Sequence, residues 1–211
     1  MKKRRENDIK MKVLMINGSP NKEGCTYTAL KEVAGALAAE GIDSEIVWLG
    51  NGPVRDCIGC GACRKTQNCV FDDDNLSALK AKCAEADGFI FGSPVYYAHP
   101  SGRILSVLDR LFFSGGNAFK GKPGAAVVSA RRAGTTASID VLNKYFSISQ
   151  MPIIGSSYWN MVHGRKPGDV AEDGEGLQTM RNLGRNMAAY LKGETIPALN
   201  NEYGAWTCFV R

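Results

Sequence analysis

Apolar residues along this chain gather in short unbroken runs that alternate with longer stretches at helical spacing. The run Lys12–Asn17, closed by Gly18-Ser19-Pro20, suits a strand buried on both faces. After a loop reaching Cys25, the residues Leu30, Val33, Ala34 and Leu37 recur at helical spacing, and Gly41 stands where a helix stop is expected. Glu45–Leu49 reads as a second strand, which completes a βαβ unit with a right-handed crossover. The pattern then repeats. Leu76, Leu79 and Cys83 line a helix face behind the start signal Asp73-Asp74-Asn75, and Gly88–Phe91 is a strand ending at Gly92-Ser93-Pro94. Ile104, Leu105, Leu108, Leu111 and Phe112 mark a helix, Ala125–Val128 a fourth strand, and Ile139, Leu142 and Phe146 a fourth helix. Pro152-Ile153-Ile154 is the expected fifth strand, and Leu177, Met180, Gly184, Met187, Ala188 and Leu191 make the last long helix.

Five strands alternating with helices imply an α/β domain with an open, mostly parallel sheet covered on both faces. It is expected over residues 11–192, with an insertion at 50–74. Residues 1–10 read as a flexible basic tail. Residues 193–211, with Trp206 and Phe209, form an extension too short for a domain, packed on this subunit or a neighbour. Forty-four per cent hydrophobic and 22% charged residues in 211 are ordinary for a globular protein. No apolar run approaches the ~20 residues of a membrane span. The basic start leads into Glu6, Asn7 and Asp8 instead of an apolar stretch, so a secretory signal is not expected, and Met11 offers a second start. A cytoplasmic protein is the expectation. The net charge of +5 is concentrated: residues 1–10 hold Lys2, Lys3, Arg4, Arg5 and Lys10 against Glu6 and Asp8, a net +3, which leaves +2 for the remaining 201. No nucleic-acid surface is expected from so even a remainder.

In open α/β sheets ligands gather at the carboxyl ends of the strands. The loop after the first strand, Gly18 to Thr28, runs straight into a helix, so its backbone N–H groups and the helix dipole favour an anion. Ser19, Thr26 and Thr28 add hydroxyls, and Pro20, Lys22, Gly24 and Cys25 complete the candidate phosphate loop. Neither the P-loop nor the dinucleotide glycine fingerprint is present. At the end of the third strand, Gly92 to Tyr97 would let backbone approach a flat ring, with Pro94, Val95, Tyr96 and Tyr97 beside it; alternatively Ser93-Pro94 simply ends the strand. After the fourth strand comes Ser129 to Thr136, in which Ser129, Arg131, Gly134 and Thr135 are candidates to flank the same ring.

Together these three segments resemble the NADPH-dependent FMN reductase family, a branch of the flavodoxin-like fold, over residues 11–192. Cys25-Thr26 stands where that family shows Asn-Thr, and Leu108-Asp109-Arg110 where it shows a helix ending in Asp-Arg. The resemblance implies a doubly wound five-stranded parallel sheet in the order 2-1-3-4-5, bound FMN rather than FAD, NAD(P)H as an electron donor, and a homodimer or homotetramer.

Cysteines carry the remaining signal. Four of the seven fall within thirteen residues, Cys57-x-x-Cys60-x-x-Cys63 and then Cys69, and Gly59 and Gly61 permit a turning backbone between them. A 4Fe–4S cluster, a structural zinc and a set of free thiols all remain open on spacing alone. The run resembles the compact cysteine motif of the iron–sulfur flavoproteins, which implies a 4Fe–4S cluster near the flavin and ferredoxin as a possible partner. Cys83 and Cys208 read as buried small apolar residues, His99 as a surface group within reach of the ring, and Asp72-Asp73-Asp74 as charge complementing a helix dipole, while no Ser or Cys motif around His99 or His163 points to a nucleophile–base pair. The reading is an FMN-dependent oxidoreductase in which no protein acid or base is required. A flavodoxin-type electron carrier and a zinc-bearing regulatory or nucleic-acid module are its rivals.

Overall fold

A computed structural model describes residues 10–72 and 74–209, so the expected tail, apart from Lys10, and Asp73 lie outside the described residues. The central sheet begins with β1 (Lys12–Asn17), β2 (Asp43–Trp48) and β3 (Gly88–Tyr96). A two-residue β4 (His99–Pro100), then β5 (Gly124–Ala130) and β6 (Met161–His163) complete it. The path is β2-β1-β3-β5-β6, parallel throughout, with β4 pairing antiparallel to the end of β3. Counting only the parallel strands this is the expected 2-1-3-4-5; β4 is the addition.

Strict alternation along the inner strands sends successive residues into two separate cores. Leu14, Ile16, Phe89, Phe91, Ala126 and Val128 face one side, where α3 (Leu76–Glu85), α4 (Gly102–Gly115) and α5 (Thr135–Ile148) cover them. Val13, Met15, Ile90, Ala125 and Val127 face the other, under α1 (Cys25–Ala39) and α7 (Gly174–Lys192). Burial on both faces explains why these strands read as unbroken apolar runs. The edge strand β2 is only half buried, and Glu45 on it binds Lys12 and Lys82, charges that blunt further strand pairing. Two short helices escaped the sequence pattern, α2 (Cys63–Thr66) and α6 (Pro167–Ala171).

The fifth strand is where expectation and structure part. Pro152-Ile153-Ile154 makes only a single bridge, Ile153 against Gly124, and the chain leaves the sheet before rejoining it as β6. Proline lacks the N–H a ladder needs, and the following Gly155-Ser156-Ser157 is claimed by α7. Asn186 donates to the Gly155 carbonyl (2.9 Å), Ser156 Oγ to the Thr179 carbonyl (2.6 Å) and Asn182 to Ser157 Oγ (2.8 Å). Past α7 the extension runs back along its own subunit. Arg181 and Arg185 hold the Glu202 carboxylate, the Ala205 amide donates to Gln178, and the Phe209 ring lies 4.9 Å from His163.

The α1–α7 contact depends on a residue without a side chain. A Cβ at Gly184 would stand 2.6 Å from Ala36 Cβ and 2.9 Å from the Val33 carbonyl, whereas one at Gly35, on the exposed side of α1, would meet nothing within 4 Å. The two helix glycines should therefore respond with opposite sign. Gly184→Val is expected to destabilise the fold by about 1–3 kcal/mol through overpacking. Gly35→Ala should stabilise it by roughly 0.5–1 kcal/mol through helix entropy. Urea unfolding of the two variants beside the parent chain measures both.

Candidate functional site

Three loops meet at the carboxyl edge of the sheet, and hydrogen bonds sew each to the next. The Gly18 amide donates to the Gly92 carbonyl (2.8 Å), extending the β1–β3 ladder one step beyond β1. Ser101, the N-cap of α4, donates through Oγ to the Gly18 carbonyl (2.8 Å), and its amide donates to Ser93 Oγ (2.9 Å). On the far side the hydroxyls of Thr26 and Ser129 share a bond of 2.8 Å. Both were expected at the ligand, from segments 103 residues apart; they hold each other.

The loop between β1 and α1 is shaped by a residue that the sequence reading passed over. Asn17 is fully buried. Its Oδ1 accepts from the Ser19 amide (3.0 Å) and its Nδ2 donates to the Lys22 carbonyl (3.1 Å), folding the loop about one side chain. Ser19 Oγ accepts from the Asn21 amide, and the Ser19 carbonyl takes the Trp48 indole N–H (2.8 Å) from the end of β2. Pro20 is partly covered and Lys22 exposed. At Gly24, the N-cap of α1, no side chain caps the helix. Uncapped first-turn N–H groups are a ready anion seat. Cys25 points away from that seat, with Sγ 3.5 Å from the Gly164 carbonyl beyond β6, and burial raises its thiol pKa.

β3 runs on through Ser93 and Pro94 to Tyr96, so Ser93-Pro94 does not end it. It turns back into β4 through Tyr97 and Ala98, whose φ values are +51° and +59°. Two left-handed residues in a row make the tightest hairpin turn, here without glycine, and such strain marks functional edges. The turn leaves Tyr96 half-exposed and Tyr97 fully in solvent, while Pro94 and Val95 are partly buried. Gly134 (φ +89°), the N-cap of α5, presses against it: a Cβ there would lie 2.5 Å from Ala98 Cα and 3.0 Å from Val95 Cγ1. Thr135 is buried behind it and Arg131 is exposed.

Both histidines stand near this edge, with different surroundings. His99 is exposed in β4. His163, at the end of β6, is partly buried and tied to its neighbours. Its ring lies between the Arg132 carbonyl (3.1 Å) and the buried Asp173 carboxylate (3.7 Å). Burial alone would raise the Asp173 pKa, but hydrogen bonds from His163 and the Gly176 amide outweigh it and hold the group below the usual carboxylate range. No spacing in the sequence joins these two residues.

The cysteine segment lies outside the sheet, beside α4. Cys57, Cys60, Cys63 and Cys69 all line one cavity of about 150 Å³, together with Phe71 and Arg110. Gly59 (φ +65°) and Gly61 (φ +69°) turn the backbone around it. Cys57 and Cys60 are exposed and Cys63 and Cys69 half-buried, and among the described residues no three His, Cys, Asp or Glu side chains converge to hold a single ion. Cys69 Sγ accepts from Arg110 Nε (3.4 Å) and the Phe71 amide (3.5 Å). Asp72 accepts from the Ser77 amide at the start of α3, whereas Asp74 serves as the ion-pair partner of Arg110. Burial pushes the Cys83 thiol up to about 12, an inert apolar residue as expected. Cys208 is exposed instead of buried, because the extension lies over the surface.

Known proteins share this plan. A relative from Methanocaldococcus jannaschii named an iron–sulfur flavoprotein is 36% identical over 86% of this chain and 98% of its own length. An iron–sulfur flavoprotein of Methanosarcina thermophila is 30% identical over 86% and 96%. The solved NAD(P)H:quinone oxidoreductase from Methanothermobacter marburgensis superposes with a TM-score of 0.64 over 84% of this chain and 97% of that one at 16% identity, a likeness of fold. The family described as NADPH-dependent FMN reductase matches residues 11–166, the span that holds all three sewn loops and the cysteine segment, and the chain belongs to that family, alongside its iron–sulfur flavoproteins.

Proposed function

We propose that this FMN-dependent oxidoreductase holds a 4Fe–4S cluster on Cys57, Cys60, Cys63 and Cys69 and passes electrons between that cluster and FMN. The observation that carries the reading is the cavity of about 150 Å³ whose lining includes all four cysteines. A zinc ion draws its ligands to about 2.3 Å from one centre and leaves no space among them. Thiols standing around a cavity suit a body with volume of its own, and the two N–H donors on Cys69 Sγ suit an anionic sulfur ligand. The nucleic-acid alternative finds no support in the near-neutral charge of residues 11–211.

FMN, when bound, supplies both one-electron and hydride chemistry. The chain's own residues supply its seat. The uncapped first turn of α1, with the Ser19 hydroxyl and Lys22 beside it, suits the phosphate. The strained turn at Tyr96-Tyr97 and the loop from Ser129 through Arg131 to Gly134-Thr135 suit the ring. Gly134 lets those two loops touch, and Thr26 with Ser129 fixes their distance from the phosphate end. NAD(P)H or ferredoxin is the donor in this reading. A second copy of the chain would cover Tyr97, Tyr158 and Trp159, which stand in solvent here.

Three outcomes follow. Protein purified without oxygen, or reconstituted, should contain about four iron and four acid-labile sulfide per subunit. Cys60→Ser should lose them while keeping FMN; stoichiometric zinc in place of iron would refute the cluster. Gly134→Ala should displace the turn at Ala98, whose Cα its Cβ would meet at 2.5 Å, and so weaken FMN severalfold. Flavin-fluorescence titration of the folded apoprotein reads that loss, and unchanged affinity would move the ring elsewhere. Light scattering at micromolar concentration should give a dimer or tetramer.

A further inference from the structure

Arg110 is the largest fully buried side chain among the described residues, an unusual place for a cation. It leaves α4 and reaches beneath the cysteine segment, where its side chain is 0% exposed. A guanidinium has five N–H donors in a fixed fork. Nη1 meets the Arg55 carbonyl (3.2 Å) and one Asp74 oxygen, and Nη2 meets the Phe71 carbonyl (2.6 Å) and the other Asp74 oxygen (3.1 Å). Nε points at Cys69 Sγ, 3.4 Å away. Every donor is used. Four tie down both ends of the segment, residue 55 before the cysteines and residues 71 and 74 after them, and the fifth is spent on a ligand sulfur. Phe71 completes the clamp, with the Arg55 guanidinium 4.9 Å and that of Arg110 5.8 Å from its ring centre.

We infer that Arg110 is a positioning residue that holds Cys69 for the cluster and, with Asp74, sets the cluster's reduction potential. The inference rests on the cluster reading above. A cation and an N–H donor at a ligand sulfur favour the more negative, reduced state, and both act more strongly from a buried guanidinium than they would in water. The Asp74 carboxylate, 11% exposed, offsets that field from the other side of the same guanidinium. The two residues therefore push the potential in opposite directions. Fixed polar groups of this kind are the protein's means of tuning such a centre.

The test is a redox titration, followed by electron paramagnetic resonance, of reconstituted holoprotein carrying R110Q, R110K or D74N. Iron content and bound FMN are measured on each sample. R110Q should lower the potential by an amount equal to at least a tenfold change in the reduction equilibrium, about 59 mV for one electron. D74N should raise it, and R110K should fall between R110Q and the parent protein, since it restores charge without the fork. A merely structural arginine would lower cluster content in all three with no such opposition of sign. Should R110Q fail to retain iron, the upward shift in D74N still decides the matter. Iron-replete variants with the parent's potential would overturn the role of Arg110 alone. Parent protein that never binds iron would overturn it together with the cluster, and the iron assay separates those two results.

Discussion

The bond from the Gly18 amide to the Gly92 carbonyl is the joint on which the carboxyl edge of this sheet turns. It carries the β1–β3 ladder past the last residue of β1, so the loop that follows starts from a fixed height against the central strand. A Cβ at Gly18 would lie 2.6 Å from Ile104 Cβ, and only the absence of one lets α4 begin so close. Ser101 then caps α4 and grips Gly18 and Ser93 at once. A parallel sheet buried on both faces has no free side for a ligand, so polar groups can collect only at the strand ends. Here the same hydroxyls that could face a ligand also hold the loops in register.

The cysteine segment is organised on a different principle. It buries little apolar surface, with Val54 and Cys69 packed against the core but Ile58 and Val70 in solvent, and burial alone would hold it weakly. Core helices reach out to it instead. Arg110 from α4 binds both of its ends, Lys80 from α3 binds Gln67 and Asn68 within it, and Ser106 meets Asp56. Such an arrangement explains how a 25-residue insertion can be added beside an open sheet without altering the strand order. It also places the cysteines on a scaffold whose rigidity comes from α4, the helix whose first turn belongs to the edge where the three loops meet.

Sequence and structure agree where one physical signal dominates. The inner strands and the helices α1, α3, α4, α5 and α7 appear at the expected positions because burial of a face imposes a period that local residues must obey. The order of the parallel strands followed from family likeness, and the sheet reproduces it. Agreement failed where competing partners decide. Pro152-Ile153-Ile154 is apolar enough for a strand, yet Asn182 and Asn186 hold the Ser157 hydroxyl and the Gly155 carbonyl that follow it for α7. Cys208 looked like a core residue by type, and the path of the extension put it outside.

By itself, then, the chain's pattern determined the α/β class, the three loops at the carboxyl ends of the strands and the four grouped cysteines, since these follow from periodicity and from short-range spacing. Tertiary structure alone decided which polar groups are spent on the protein. Thr26 meets Ser129 across 103 residues, His163 meets Asp173 under α7, Arg110 meets Cys69 and Asp74, and Gly134 meets the turn at Ala98. None of these pairings leaves a mark in local sequence. A hydrogen bond between distant segments depends on where two independently stable elements come to rest, and only the burial of their apolar faces against the common sheet settles that position.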